Sequence, residues 1–365
     1  MLGWECNPGT PKGVFISMEF GIYSFGDIHQ DPTSGDRVSP EQNLADTIER
    51  IRLADDAGLH HFGLGEHHRP DYSISSPATV LAAAATVTER IRLGSAVTVL
   101  STEDPVRVFQ QFATIDLLSH GRIELLAGRG SFTESFPLFG YDLHDYDALF
   151  TEKLDLLLAL NADERITWNG RFRPPLDDAL ILPRPSEHAR VPGKLDIWIA
   201  TGGHPESSAR AGELGIPVSY AIIGGYPERF APLFDLYRRS AAQHGHDPST
   251  LQTAVASPGF VARQGARDTF FPYWIDSMAR ISVERGFPAP NRDTFEEMTA
   301  ARGAIFAGTP NEVADKIIYV HSHLGMDRIG LQMDWSGVPQ KLMLESIELF
   351  ATEVMPQVQK ELAGR

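Results

Sequence analysis

From Met18 onward, short runs rich in β-branched and aromatic residues alternate with longer segments whose apolar residues recur every three or four positions. That alternation is the mark of parallel strands joined by crossover helices. The first run, residues 19–24, precedes Ser39-Pro40-Glu41-Gln42, read as a capping box with proline in the first turn. Leu44, Ile48 and Ile51 then fall on one helical face, and Gly58 ends the helix. Strands follow at 61–65, 91–99 and 122–127, with helices opened by Ser76-Pro77 and by Asp104-Pro105, the latter running through Leu118. A helix over 145–160 comes next. Trp168-Asn169-Gly170-Arg171 predicts a hairpin outside the main repeat, because Asn-Gly suits a tight turn. Strands at 196–200, 218–223, 253–262 and 328–333 alternate with helices from Pro205, from Pro227, from a second capping box at Thr309-Pro310-Asn311-Glu312, and from Pro339 to about Leu362.

Eight strands and eight helices make a (β/α)8 or TIM barrel with insertions the economical α/β fold. A doubly wound open sheet is the alternative, but it ordinarily needs fewer units. The span 263–306 holds more than one helix's worth of sequence and is rich in aromatic residues, among them Phe270, Phe271, Tyr273 and Trp274. It follows a strand end and is expected to form a lid over the active face. Residues 1–17 are expected to be a flexible extension, with Met18 an alternative start, and 18–365 a single domain.

Composition changes the picture by exclusion. The chain of 365 residues is 42% hydrophobic, and 32 basic against 48 acidic residues leave it at −16. That charge opposes nucleic acid and anionic membrane surfaces and leaves a small molecule as the expected partner. The single cysteine, Cys6, provides neither a disulfide framework nor a thiolate cluster, which fits a cytoplasmic protein. No run approaches the roughly 18 apolar residues of a membrane span, and the leader lacks the apolar core of a signal peptide.

In such a barrel the chemistry lies at the C-terminal ends of the strands. Three places stand out there. Glu66-His67-His68-Arg69 follows the second strand; adjacent residues alternate in direction, so one of the two histidines is expected at the mouth and a two-histidine chelate is not. His321 and His323 sit late in a helix, two apart, and are not neighbours on one face; no metal site is expected. Gly202, Gly203, His204 and Ser207 span the end of the fifth strand and the first turn of its helix. There, glycines, free N–H groups and a hydroxyl suit a phosphate. Ala127-Gly128-Arg129-Gly130 after the fourth strand, with Gly94-Ser95-Ala96-Val97 ending the third, clears room for a flat ligand, Arg129 offering charge to its polar edge. Together they point to a planar aromatic ligand with a phosphate tail.

The ordered strings EHH at 66–68, RIRLGSAVTVLSTEDPVRVFQQFATIDLLSHGRIELLAGRGSF from Arg90, GGHPESSARAGELGIP from Gly202 and GTPNEVADKI from Gly308 resemble the bacterial luciferase-like flavin monooxygenases over 18–360. The resemblance implies reduced FMN as a loosely held cofactor or cosubstrate, used with O2 on an organic substrate. It places the phosphate on Gly203, His204 and Ser207 and the ring against the third and fourth strands, with a cis peptide at Ala96-Val97. It implies a catalytic role for His67 in handling the flavin oxygen adduct; beside it, Glu66 is expected to orient the ring or raise its basicity, and His68 to face the packing between strand and helix. A homodimer and a flavin reductase partner belong to the same expectation. Two departures qualify it: Gly128 stands where luciferase has a reactive cysteine, and Asp147 where it has a phosphate-binding arginine. The phosphate is then left to the helix start and the Tyr146 hydroxyl. The rival cofactor is the deazaflavin F420, used by related barrels for hydride transfer. A non-catalytic flavin-binding protein and a metal-dependent barrel hydrolase are the other rivals, the last disfavoured because the first strand carries no ligand cluster.

Overall fold

The computed structural model describes residues 18–364; the expected extension at 1–17, with Cys6, lies outside them. Eight parallel strands close on themselves: β1 Glu19–Ser24, β2 His61–Leu64, β3 Arg92–Ser95, β4 Ile123–Gly128, β5 Asp196–Thr201, β6 Val218–Ala221, β7 Thr253–Val261 and β8 Arg328–Gln332. Each pairs with its neighbour in sequence, and β8 pairs back onto β1 through Glu19↔Arg328. The closure leaves no edge and rules out the open doubly wound sheet.

The proline-led starts hold at Pro40, Pro77, Pro105, Pro205 and Pro310, whereas Pro227 opens a 3-10 turn before a helix from Ala231 and Pro339 caps a helix from Gln340. Helices α1 Pro40–Asp56, α2 Pro77–Ala85, α3 Pro105–Leu118, α4 Tyr146–Ala162 and α5 Pro205–Leu214 cover the first five strands. Proline suits the first turn because its missing N–H has no intrahelical partner there. The Thr309 capping box forms in both directions. The box at Ser39 is only half made: Ser39 accepts from Gln42 N, but the Gln42 side chain turns forward to Asp46, 2.7 Å away. The third strand is also shorter than its pattern. It breaks after Ser95 and resumes at Thr98–Val99, on either side of a cis Ala96–Val97 peptide.

The hairpin exists, Arg165–Trp168 against Leu176–Leu180, without a tight Asn-Gly turn. Its connection is longer, and the Glu152 carboxylate accepts the N–H groups of Arg171 and Phe172 at 2.8 and 2.9 Å. An added Cβ at Gly170 would meet that carboxylate at 2.2 Å, so the lack of a side chain there leaves room for Glu152. The span 263–306 folds into helices Ala266–Arg285 and Arg292–Thr299. Phe270, Trp274 and Phe295 are fully buried between them and the barrel end.

Most of the core lies between sheet and helices. The barrel interior is different at its N-terminal end. Arg328 donates to both oxygens of Glu124, at 2.6 and 2.8 Å, and through Nε to Glu19 at 2.8 Å; Arg92 reaches Glu124 at 2.6 Å. Trp198 stacks against Arg328 at 4.5 Å. Burial works to raise Glu124, but Arg328 and Arg92 hold its carboxyl well below the usual range. Gly94 belongs to this layer, not to the mouth: a Cβ there would lie 2.7 Å from His61 Nε2.

Candidate functional site

At the opposite, C-terminal end of the strands a cavity of about 410 Å³ opens. Its wall includes Glu66 and His67 after β2, Ala96 and Val97 after β3, Gly128 and Arg129 at the end of β4, Tyr146 at the start of α4, and Gly202 and His204 after β5. Chain segments far apart in sequence thus meet because each begins where a barrel strand ends. Gly203 and Ser207 complete the helix start but are not part of this wall.

His68 lines the cavity as well, contrary to the alternation expected of a strand. Strand β2 stops at Leu64, so residues 65–69 are loop and the alternation no longer applies. The partner assignment also changes. Glu66 Oε1 pairs with His68 Nε2 at 2.8 Å and Glu66 Oε2 accepts Val99 N–H at 3.1 Å. His67 Nδ1 pairs instead with Glu134 Oε1, at 3.1 Å. The Glu66 hydrogen bond raises the His68 pKa. Burial acts to raise Glu134, but its hydrogen bonds with His67 and the backbone hold it low. Gly65 is needed for this packing: a Cβ would lie 2.0 Å from Phe25, whose ring sits 5.2 Å from that of His67.

Arg129, also in the cavity wall, reaches toward the first turn of α5. Its Nη1 holds Asp147 at 2.6 Å and its Nη2 donates to the Ser207 hydroxyl at 3.3 Å, so its charge stands over the first turn of α5. The Tyr146 hydroxyl is committed to Gly130 O at 2.7 Å, and its proton is not free for a phosphate. Thr201 Oγ1 accepts the N–H groups of Gly203 and His204 at 3.3 Å each, and shapes the turn in which Gly203 adopts φ +111°. Gly128 has a packing role as well: Val97 Cγ2 would lie 2.7 Å from a Cβ there.

Sequence reasoning missed Phe25, Tyr72, Glu134, Ser135 and Arg285. None carries a local motif; the fold brings Phe25, Glu134, Ser135 and Arg285 to the cavity wall and Tyr72 against the His67 ring. Ser135 Oγ is buried against this cavity without a hydrogen-bond partner. Among the described residues no group of three or more His, Cys, Asp and Glu is placed to hold a metal, and no helix is long and apolar enough to cross a membrane.

A sequence-family model described as luciferase-like monooxygenase matches residues 18–328. The chain belongs to this family. Limonene 1,2-monooxygenase of Rhodococcus erythropolis is 34% identical over 342 residues, covering 90% of this chain and 86% of that one. Among solved structures, the oxygenating constituent of 3,6-diketocamphane monooxygenase from Pseudomonas putida, in complex with FMN, superposes with a TM-score of 0.74. It is 19% identical and covers 94% of this chain and 99% of that one. An F420-dependent secondary alcohol dehydrogenase gives 0.69 at 17% identity, covering 94% and 99%. Those two show the fold alone, and the fold does not choose between cofactors. As a family member the protein is a flavin-type oxidoreductase of the oxygen-incorporating class.

Proposed function

We propose that the cavity holds FMN, with its phosphate at the start of α5 and its ring toward Ala96, Val97 and Gly128, and that the enzyme oxygenates an organic substrate beside His67. The observation that carries this reading is that one cavity is lined by both His67 and Arg129, and the Arg129 guanidinium donates to the Ser207 hydroxyl in the first turn of α5. The residues fit the cofactor. The volume falls within the ~300–1,000 Å³ of small-molecule sites. The helix start offers an anion its dipole and the Ser207 hydroxyl, whose proton is not used on Arg129. Ser135 Oγ awaits a polar partner.

Bound reduced flavin supplies the two electrons that let O2 give one atom to the substrate and the other to water. The chain's own residues bind, exclude water and move protons. Arg129, Gly202, Gly203, His204 and Ser207 hold the phosphate. The helix Ala266–Arg285 serves as the lid: Arg69 Nη1 ties Glu284 to the β2 loop at 2.9 Å, and Arg285 donates to Ser131 O at 3.1 Å. His67 exchanges a proton with the reacting groups at its cavity-facing nitrogen. Because Asp147 shares the Arg129 charge, the flavin is held loosely and exchanges with a separate reductase. A homodimer is part of the same reading, supported by the exposed Val87, Leu117 and Leu118 at neighbouring helix ends.

Reconstitution with FMN and with F420, followed by rapid mixing of the reduced complex with O2, tests the reading. FMN binding with oxygen-dependent turnover is expected. Retention of F420 alone, with hydride transfer and no oxygen uptake, would overturn it.

A further inference from the structure

His67 is packed by aromatic rings on three sides, with centroid distances of 4.4 Å to Tyr72, 5.2 Å to Phe25 and 4.9 Å to Phe132. Those contacts fix the plane of the imidazole but are indifferent to which nitrogen carries its proton. Glu134 is not indifferent. Its Oε1 lies 3.1 Å from His67 Nδ1 and also accepts the backbone N–H of His68 at 3.4 Å, which pins the carboxylate from a second direction. An ionised carboxylate only accepts, so a neutral His67 must carry its proton on Nδ1 and leave Nε2 as a bare acceptor. Among the described residues Nε2 has no hydrogen-bond partner, and the ring lines the cavity.

The other charged groups at this end are committed elsewhere. Glu66 is paired with His68, Arg69 with Glu284 and Asp71, and Arg285 rests on Ser131 O and the Phe132 ring. Behind Tyr72, His29 bridges Asp27 and Asp71. None of them competes for His67 Nδ1.

We propose that Glu134 is the positioning residue of the site: it sets His67 in the Nδ1–H tautomer and presents the Nε2 lone pair to the groups that react in the cavity. The functional half of this rests on the reading of His67 given above; the tautomer itself does not. Glu134 comes from the segment after β4 and His67 from the loop after β2, so the pairing exists only when both βα units are in place. Glutamine at 134 keeps an accepting oxygen and should preserve the tautomer. Alanine removes it and frees the ring to place its proton on Nε2, the nitrogen that must accept.

Nitrogen-15 NMR of histidine-labelled apoprotein reads this directly, with the His67 signals identified by their loss in His67→Gln. The expected result is a non-protonated Nε2 in wild type and in Glu134→Gln, and a shift toward Nε2–H in Glu134→Ala. Single-turnover oxygenation should fall roughly 10-fold or more in Glu134→Ala, with FMN affinity unchanged, and should be largely restored in Glu134→Gln. A wild-type His67 protonated on Nε2 would overturn the proposal even if no Glu134 variant folds. A tautomer that follows Glu134 while the oxygenation rate does not would overturn the proton-handling role of His67 and leave the pairing standing.

Discussion

The guanidinium of Arg129, at the end of β4, donates through Nη2 to the Ser207 hydroxyl in the first turn of α5, 3.3 Å away. The same guanidinium is shared with Asp147, an exposed carboxylate that would face any phosphate bound there. Asp147→Asn should therefore tighten FMN binding by about two- to fivefold, the scale of an exposed ion pair, and the gain should shrink at high salt. Ser207→Asp, which puts a carboxylate against the phosphate, should weaken it. Fluorescence titration at two salt concentrations checks both; unchanged affinity in Ser207→Asp would count against the phosphate position.

His67→Ala should keep the fold and FMN binding while single-turnover oxygenation, at saturating reduced FMN, drops roughly 100-fold, the scale of a lost acid–base group. Wild-type rates in this variant would remove His67 from the mechanism. The aromatic rings around it make a loss of local order the competing explanation, so FMN affinity is measured in the same sample.

The Glu66–His68 pair has a definite pH signature. The Glu66 hydrogen bond raises His68 in the folded state. A histidine so shifted adds stability that is fully present below its unfolded value of about 6.5 and is lost as pH rises through the higher folded value. The stability advantage of wild type over Glu66→Gln should thus be largest near pH 6 and smaller near pH 9, by about 1 kcal/mol. Urea unfolding at the two pH values would reveal it, and an advantage that grows with pH would contradict the pairing.

At the far end of the barrel, Glu124→Gln leaves Arg328 buried with one of its two carboxylate partners gone. Breaking a buried ion pair in this way costs about 3–5 kcal/mol. Unfolding measurements should register that loss while FMN affinity stays at the wild-type value, since the cluster and the cavity lie at opposite strand ends. Equal effects on both would show the two layers to be coupled.

The sequence by itself determined the eightfold alternation, the proline-led helix starts at Pro40, Pro77, Pro105, Pro205 and Pro310, and the strand ends at which the site would form. These are local matters: periodicity, turn residues and caps act over a few positions and need no knowledge of distant neighbours. The family strings extended that reading to Ala96 and Val97, to Gly128 and to the α5 start. Tertiary structure alone decided the pairings. His67 meets Glu134 across 67 positions and Arg129 meets Ser207 across 78. Gly94 makes room for His61, and Gly128, in the cavity wall, also makes room for Val97. Hydrogen bonds and close packing depend on distance in space, and once a strand ends, as β2 does at Leu64, the alternation that assigned His67 and His68 to opposite faces no longer governs the side chains that follow.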